Sequence, residues 1–516
     1  MAFPDLWGSN GAIANTHAGS RENIASTDVL RDGWVVTAWQ DLTNNSLKGQ
    51  ILKADGSTFG IPFEISAPGV KIVGAPSIAA LPDGRFMVVY VRAEPNQRYM
   101  IVQETYDVFG GRIDSNPIDS VVGAQGPNLA PVVSTFSDGS FYITYTKEGL
   151  KYFKYSNETP TYGTIDSHMN AVNVGRISAS QDYLANLHYN TQEKYLYLNT
   201  LKHDGTGITR IPIVNIDNVE SAKDSNITAL GNGNFVVTWV ENTKLSDGVY
   251  VGAFKAKIFS PQGVVLDILD LYTGNLLGKG SIKALSGSDF VFAVPGAGDG
   301  MIHVGISRNG VIDLHHITNT SSGNTMITTL NDGRFMVEWI EKSGPDTGVL
   351  KARIFDPRTS AVDWHGGDIG QQYAGTKYGD QLHGGAGGDT LFGSKGDDFL
   401  YGNGGGDHLS GDDNNDWLVG GEGADTLDGG GGWDVASYLG ATGGIVVDLT
   451  TNQNGGAAAG DTLIGIEVAQ GSDSADTIVG LDRGGGLGVE LLGMGGDDIL
   501  SGKAGNDTLN GGSGID

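Results

Sequence analysis

Seven aspartates, Asp380, Asp389, Asp398, Asp407, Asp416, Asp425 and Asp434, recur at a fixed step of nine residues. Leucine follows two places later at Leu382, Leu391, Leu400, Leu409, Leu418 and Leu427. Glycines cluster ahead of most of these aspartates, as in Gly384-Gly385-Ala386-Gly387-Gly388-Asp389. This period and content predict a parallel β-helix with metal-filled turns. Each nonapeptide supplies a glycine-rich turn, where a side chain would block the tight conformation, and one very short strand. The leucines are expected to point inward and stack from coil to coil. The aspartate carboxylates and turn carbonyls are hard oxygen ligands, which suit calcium. An ion between two turns pairs Asp389 with Asp407, and Asp398 with Asp416. A flexible glycine-rich linker is the alternative, but a linker needs neither the leucines nor the constant period.

Composition places this chemistry in one region. The 516-residue chain carries a formal charge of −28, and residues 374–516 hold −19 of it together with 41 of the 82 glycines. Such clustered charge keeps the region unfolded until a cation binds. The acidity argues against a nucleic acid partner, since phosphate binding needs a basic surface. There are no cysteines, which excludes disulfides, thiolate metal sites and cysteine nucleophiles. No apolar run is long enough to span a bilayer as a helix.

The nonapeptides resemble the repeat domain of RTX proteins, which Gram-negative bacteria secrete through a type I system. One copy departs from that family's pattern, with Asn414-Asn415 in place of the usual glycine before Asp416. Asparagine tolerates left-handed turns, so the register is expected to survive. The resemblance implies calcium as cofactor, a secreted or cell-surface location, and export without a cleavable N-terminal signal. The first 15 residues show no basic region followed by an apolar core. The last residues stop inside another nonapeptide, so a C-terminal export signal is expected to be missing from this sequence.

A longer repeat fills the first 360 residues. It reads Asp32-Gly33-Trp34-Val35-Val36-Thr37-Ala38-Trp39 and recurs from Asp83, Asp138, Asn232 and Asp332, with degenerate copies near Asp182 and Asp289. An Asp-Gly or Asn-Gly pair between apolar runs is a hairpin signal. Seven copies about 50 residues apart, each with further strand-like runs, predict four-stranded propeller blades. A β-sandwich array and a long β-solenoid are the alternatives. These units resemble repeats of large extracellular bacterial proteins with RTX tails. The expected fold is all-β: a seven-bladed β-propeller over residues 1–365, then a calcium-bound parallel β-roll over 366–438. Capping strands and a second, shorter roll follow over 439–516. The aromatic closing each core strand (Trp39, Tyr90, Tyr145, Trp239, Trp339) is read as packing between blades. Residues 2–8 are expected to complete the last blade.

The metal ligands expected from the repeats are the seven aspartates above plus Asp476, Asp498 and Asp507. No catalytic motif emerges: there is no His-Glu-x-x-His and no Gly-x-Ser-x-Gly. The adjacent pair His315-His316 is a weak metal candidate. The fourth repeat departs most from its neighbours, with His188, Tyr189, Lys194, Tyr195, Tyr197 and upstream His168. A polysaccharide lyase would use His188 or Tyr189 to take a proton, with Arg92 or Lys147 clamping the uronate. A binding role needs less: loops after the core strands carry Gln40, Asp41, Arg92, Glu94, Lys147, Glu241, Lys244, Glu341 and Lys342. The expected partner is a polysaccharide or cell-surface glycan. A lyase and a purely structural matrix protein remain alternatives.

Overall fold

The computed structural model describes the chain apart from residues 1–5, 8–21, 31–33, 42–44, 54–57, 123–130, 137, 148–149, 157–158, 167–170, 180–181, 205, 217–224, 245–249, 275, 277–279, 297–300, 309, 318–324, 331, 345–346 and 483–485. It divides into two units, Met1–Pro357 and Arg358–Asp516.

Among the described residues, the first unit forms seven four-stranded antiparallel sheets, the blades of a propeller. Blade 2 is typical, running through Ile72–Ala80, Phe86–Glu94, Arg98–Tyr106 and Arg112–Val122. The repeat supplies the second strand, which is buried on both faces, as Phe86, Met87, Val88, Val89, Tyr90 and Val91 show. The turn before it is fixed twice over. Gly84, Gly139, Gly233 and Gly333 all take φ between 82° and 90°, which a side chain resists. The preceding Asp or Asn accepts the N–H two residues on, at 3.1 Å for Asp83 with Arg85 and 2.9 Å for Asp138 with Ser140. These are Asx turns. The strand-ending aromatics Trp39, Tyr90, Tyr145, Trp239 and Trp339 are buried, consistent with packing rather than ligand contact.

Hydroxyls tie one blade to the next. Ser26 Oγ accepts from Ile78 N, Ser77 Oγ from Val133 N, and Ser281 Oγ from Ile327 N. The ring closes as expected. Leu6–Trp7 pairs with Thr347–Phe355 and supplies the fourth strand of blade 7. Thr27 Oγ1 of blade 1 also donates to Glu338 Oε2 of blade 7 at 2.8 Å.

The second unit is a parallel roll. One wall has eight strands, from Asp363–His365 to Thr508–Asn510, and runs without a break through the whole unit. Leu382, Leu400, Leu418 and Ala436 stack in register along it. On the facing wall Tyr373, Leu391, Leu409, Leu427 and Leu463 do the same. All six leucines of the sequence period are fully buried. The stretch expected to cap the first roll has a different place. Ile445–Asp448 pairs in parallel with Thr477–Val479, which pairs with Ile499–Ser501. Ile445 and Val447 enter the same apolar core as the leucines. The segment therefore starts a new facing wall instead of covering an end, because its alternate residues are apolar and the first wall continues beside it.

Leu400 lies between Leu382 and Leu418 in this stack. Leu400→Ala should destabilise the calcium-loaded roll by about 2–5 kcal/mol. Denaturant unfolding should show the tail transition shifted and the propeller transition unchanged.

Candidate metal centre

The roll places alternate aspartates of the nine-residue period, 18 residues apart, one coil apart, and each joins the next through the backbone. Asp398 Oδ1 accepts the N–H of Asp380 at 2.7 Å, Asp416 that of Asp398 at 2.9 Å, and Asp434 that of Asp416 at 2.8 Å. On the other side Asp407 Oδ1 accepts from Asp389 at 2.7 Å and Asp425 from Asp407 at 2.9 Å. The pairs Asp389–Asp407 and Asp398–Asp416 are thus brought together as the nine-residue period implies. Later in the chain Asp498 accepts from Asp476, Asp507 from Val489, and Asp516 from Asp498.

One carboxylate oxygen is spent in this ladder. The other, Oδ2, is buried without a hydrogen-bond partner in Asp389, Asp398, Asp407, Asp416, Asp425 and Asp498. A buried unpaired carboxylate oxygen is costly. The glycine five residues earlier shows what lies beside it. A methyl on Gly402 would meet both Asp407 Oδ2 and the Gly420 carbonyl oxygen inside 3.0 Å. Gly384, Gly393, Gly411 and Gly493 border the same combination, a carboxylate oxygen and the next coil's carbonyl oxygen. Two oxygens facing one small space with no donor between them form a cation cradle. The donor set is all oxygen, which fits calcium.

Two expected ligands differ. Asp380 already accepts from the backbone N–H and hydroxyl of Thr376 and from Val362 N. Asp476 is held likewise by Ser472 and Ile445. Thr376 and Ser472 stand where other coils carry a glycine or a different turn residue; their backbone N–H groups donate to Oδ2 and their hydroxyls to Oδ1, so both carboxylate oxygens are satisfied internally. Asp507 is only partly buried. Two residues take ladder positions the period did not supply. Asp461 accepts from Asp425 N, and Glu467 Oε2 from Asp434 N, both at 2.9 Å. The local Asp461-Thr462-Leu463 motif was a signal for the first. Nothing in the spacing pointed to Glu467, 33 residues beyond Asp434.

Burial, and secondarily the like charges one coil away, push Asp398 up to about 8, Asp416 to about 7 and Asp407 to about 6. Asp389, Asp425 and Asp461 are raised for the same leading reason, desolvation.

The propeller's sequence candidates are placed differently. His188 is fully buried, with its Nδ1 2.7 Å from Asn199 Nδ2 and its ring stacked on Tyr197. Tyr189 is buried and donates its hydroxyl to the Ile216 carbonyl at 2.9 Å. Arg92 pairs with Glu94 at 2.7 Å, and Lys147 with Asp119 at 2.6 Å. These four sit on blades 2, 3 and 4, and no contact joins His188 or Tyr189 to either cation among the described residues. Burial also denies the two candidate bases a substrate. Asp41 is buried against Lys48 at 2.9 Å, and Glu241 pairs with Lys255 at 2.8 Å. His168, and the side chains of Lys244, Glu341 and Lys342, lie outside the described residues. His315 and His316 point to opposite faces of their strand, since they pair with Val304 and His303 respectively. They therefore do not form a site together. A Ser140–Asp138–His203 group is not a catalytic triad. Ser140 Oγ and Asp138 Oδ2 both face the same ring nitrogen, His203 Nε2, at 2.7 and 3.6 Å, so the carboxylate does not orient the ring from its other nitrogen.

Residues 375–409, 410–437 and 490–516 match the RTX calcium-binding nonapeptide repeat. No curated protein matches the chain. Solved structures similar to it include the polysaccharide lyase Uly1, at 10% identity and TM-score 0.41, covering 68% of this chain and 92% of that one. Another is the intramolecular trans-sialidase of Ruminococcus gnavus, at 12% identity and TM-score 0.40, covering 69% and 99%. The α-L-arabinofuranosidase Arb93A of Fusarium graminearum stands at 11% and 0.40, covering 69% and 97%.

Two outcomes follow from the cradle. Gly402→Ala puts a methyl between Asp407 and the Gly420 carbonyl, so calcium counted by equilibrium dialysis should fall by at least one ion per chain. The second concerns pH in metal-depleted protein. A carboxyl whose folded value is raised favours the folded state below the unfolded value, about 4, and that contribution is lost as pH rises through the folded value. The metal-free roll should therefore be most ordered near pH 4 and lose order up to about pH 8, read by near-ultraviolet circular dichroism. With saturating calcium the trend should reverse, since protons compete for the same oxygens.

Proposed function

With RTX calcium-binding nonapeptide repeats in the C-terminal region as premise, we propose that this chain is a secreted calcium-dependent binding protein whose propeller holds a carbohydrate or another surface partner. The observation that carries the calcium half is the row of buried Oδ2 atoms facing carbonyl oxygens. Asp389, Asp398, Asp407, Asp416, Asp425 and Asp498 would hold the ions, with Asp434, Asp461 and Glu467 as further ladder oxygens. Bound calcium supplies the positive charge that lets these carboxylates stay ionised inside a closed coil. Before export, in a low-calcium interior, the tail stays loose enough to pass a type I channel. Outside the cell, mass action sets the fold.

The propeller half rests on polar groups held ready at blade ends. The pairs Arg92–Glu94, Lys147–Asp119 and Glu241–Lys255 are each partly exposed. Arg92 and Glu94 end the second strand of blade 2, and Lys147 follows that of blade 3 to meet Asp119 on the fourth strand of blade 2. Such pairs hydrogen-bond sugar hydroxyls without reorganising. A lyase reading has less support, because His188 and Tyr189 are buried core residues.

The test is retention of the calcium-loaded chain on immobilised acidic and neutral polysaccharides, with unsaturated-uronate absorbance followed in the eluate. Retention without absorbance is expected, and Arg92→Ala with Lys147→Ala should weaken it several-fold. Absence of retention on every polysaccharide would remove the carbohydrate assignment, and released unsaturated uronate would move it to a lyase.

A further inference from the structure

We propose that the outer face of the roll's first two coils binds one divalent transition-metal ion of the zinc class through Asp363, His365 and His383. This site is separate from the calcium cradles in position and in chemistry. The cradles lie in the turns and offer only oxygen. Here two imidazoles and a carboxylate stand on a strand face.

The geometry comes from the parallel register. Asp363–His365 pairs with the strand Gln381–Gly385, and His365 falls opposite His383. Strand alternation sends Trp364 inward, where it stacks on Tyr373, and Asp363 and His365 outward. The two imidazoles stack at 4.4 Å between centroids and 7° between planes. Tyr401 covers the other face of His383 at 4.5 Å and 3°, so that ring is held upright from one side. His365 Nε2 lies 3.0 Å from Asp363 Oδ1. One ligand atom from each of the three residues falls within 4.8 Å of the other two.

Zinc takes imidazole nitrogen at about 2.0–2.1 Å and carboxylate oxygen at about 2.0–2.2 Å. The three donors must therefore draw in. His365 and Asp363 are about two-thirds exposed and turn without disturbing the core, while the sheet fixes their backbone spacing. Nitrogen donors select zinc, cobalt, nickel or copper over calcium and magnesium. Three protein ligands leave a fourth position for water or a donor from a partner.

Cobalt is the probe. The full-length chain, free of any polyhistidine tag and saturated with calcium, is titrated with Co2+ and then with Zn2+. One cobalt per chain should bind with visible ligand-field absorption, and zinc should displace it. His365→Ala and His383→Ala should each weaken binding at least ~tenfold, since even an outer-shell partner of a metal ligand is worth that much. Asp363→Asn should weaken it less. On the wild-type chain, zinc should protect His365 and His383 from carbethoxylation read by mass spectrometry, a result that does not depend on any variant folding. Absence of a stoichiometric cobalt spectrum would overturn the assignment. So would binding that survives both histidine changes. Loss on His303→Ala instead would also overturn it, because His303 Nδ1 and His316 Nδ1, 3.0 Å apart, form the competing pair.

Discussion

Carboxylates stacked one coil apart, with a buried and unpaired oxygen in Asp389, Asp398, Asp407, Asp416, Asp425 and Asp498, are the constraint from which the C-terminal unit follows. The ladder from Asp380 through Asp398 and Asp416 to Asp434 joins each coil to the next by a backbone N–H. That same ladder concentrates negative charge where water is excluded. Desolvation raises Asp398 and Asp416 furthest, which measures how poorly the coil tolerates its own ionised form. A cation between turns removes the conflict. The leucine stack alone does not, since each coil contributes only two short strands.

The propeller's described residues are held by packing and hydrogen bonds. Its blades interlock through buried second strands, Asx turns at Asp83, Asp138, Asn232 and Asp332, and hydroxyl bridges between neighbours. Ring closure uses Leu6–Trp7 and the Thr27–Glu338 hydrogen bond. The two units therefore answer to different conditions. One rests on burial and local turns, the other on repeats of a calcium-binding type.

Much of this was legible because both repeats are periodic. The nine-residue step identified the ladder aspartates, and the Asp-Gly turns located the blades. Legibility failed where the period breaks. Glu467 replaces an aspartate at an irregular spacing, and Ile445–Asp448 looked like a cap because its short apolar run carries no nonapeptide. The sequence also could not show that Thr376 and Ser472 satisfy Asp380 and Asp476, since that depends on the direction of a turn's backbone N–H. At His188 and Tyr189, residue type suggested chemistry, whereas both side chains are buried in the blade. The pair His365 and His383 has the same 18-residue spacing as the ladder aspartates, but His365 precedes the first aspartate of the period, so the repeat did not flag it.

Amide hydrogen exchange on the intact chain, with calcium and after its removal at neutral pH, tests the central claim most directly. Peptides spanning residues 380–434 should be protected only with calcium, while the propeller strands Phe86–Glu94 and Phe235–Lys244 stay protected in both states. Equal protection of residues 380–434 with and without the ion would contradict the account.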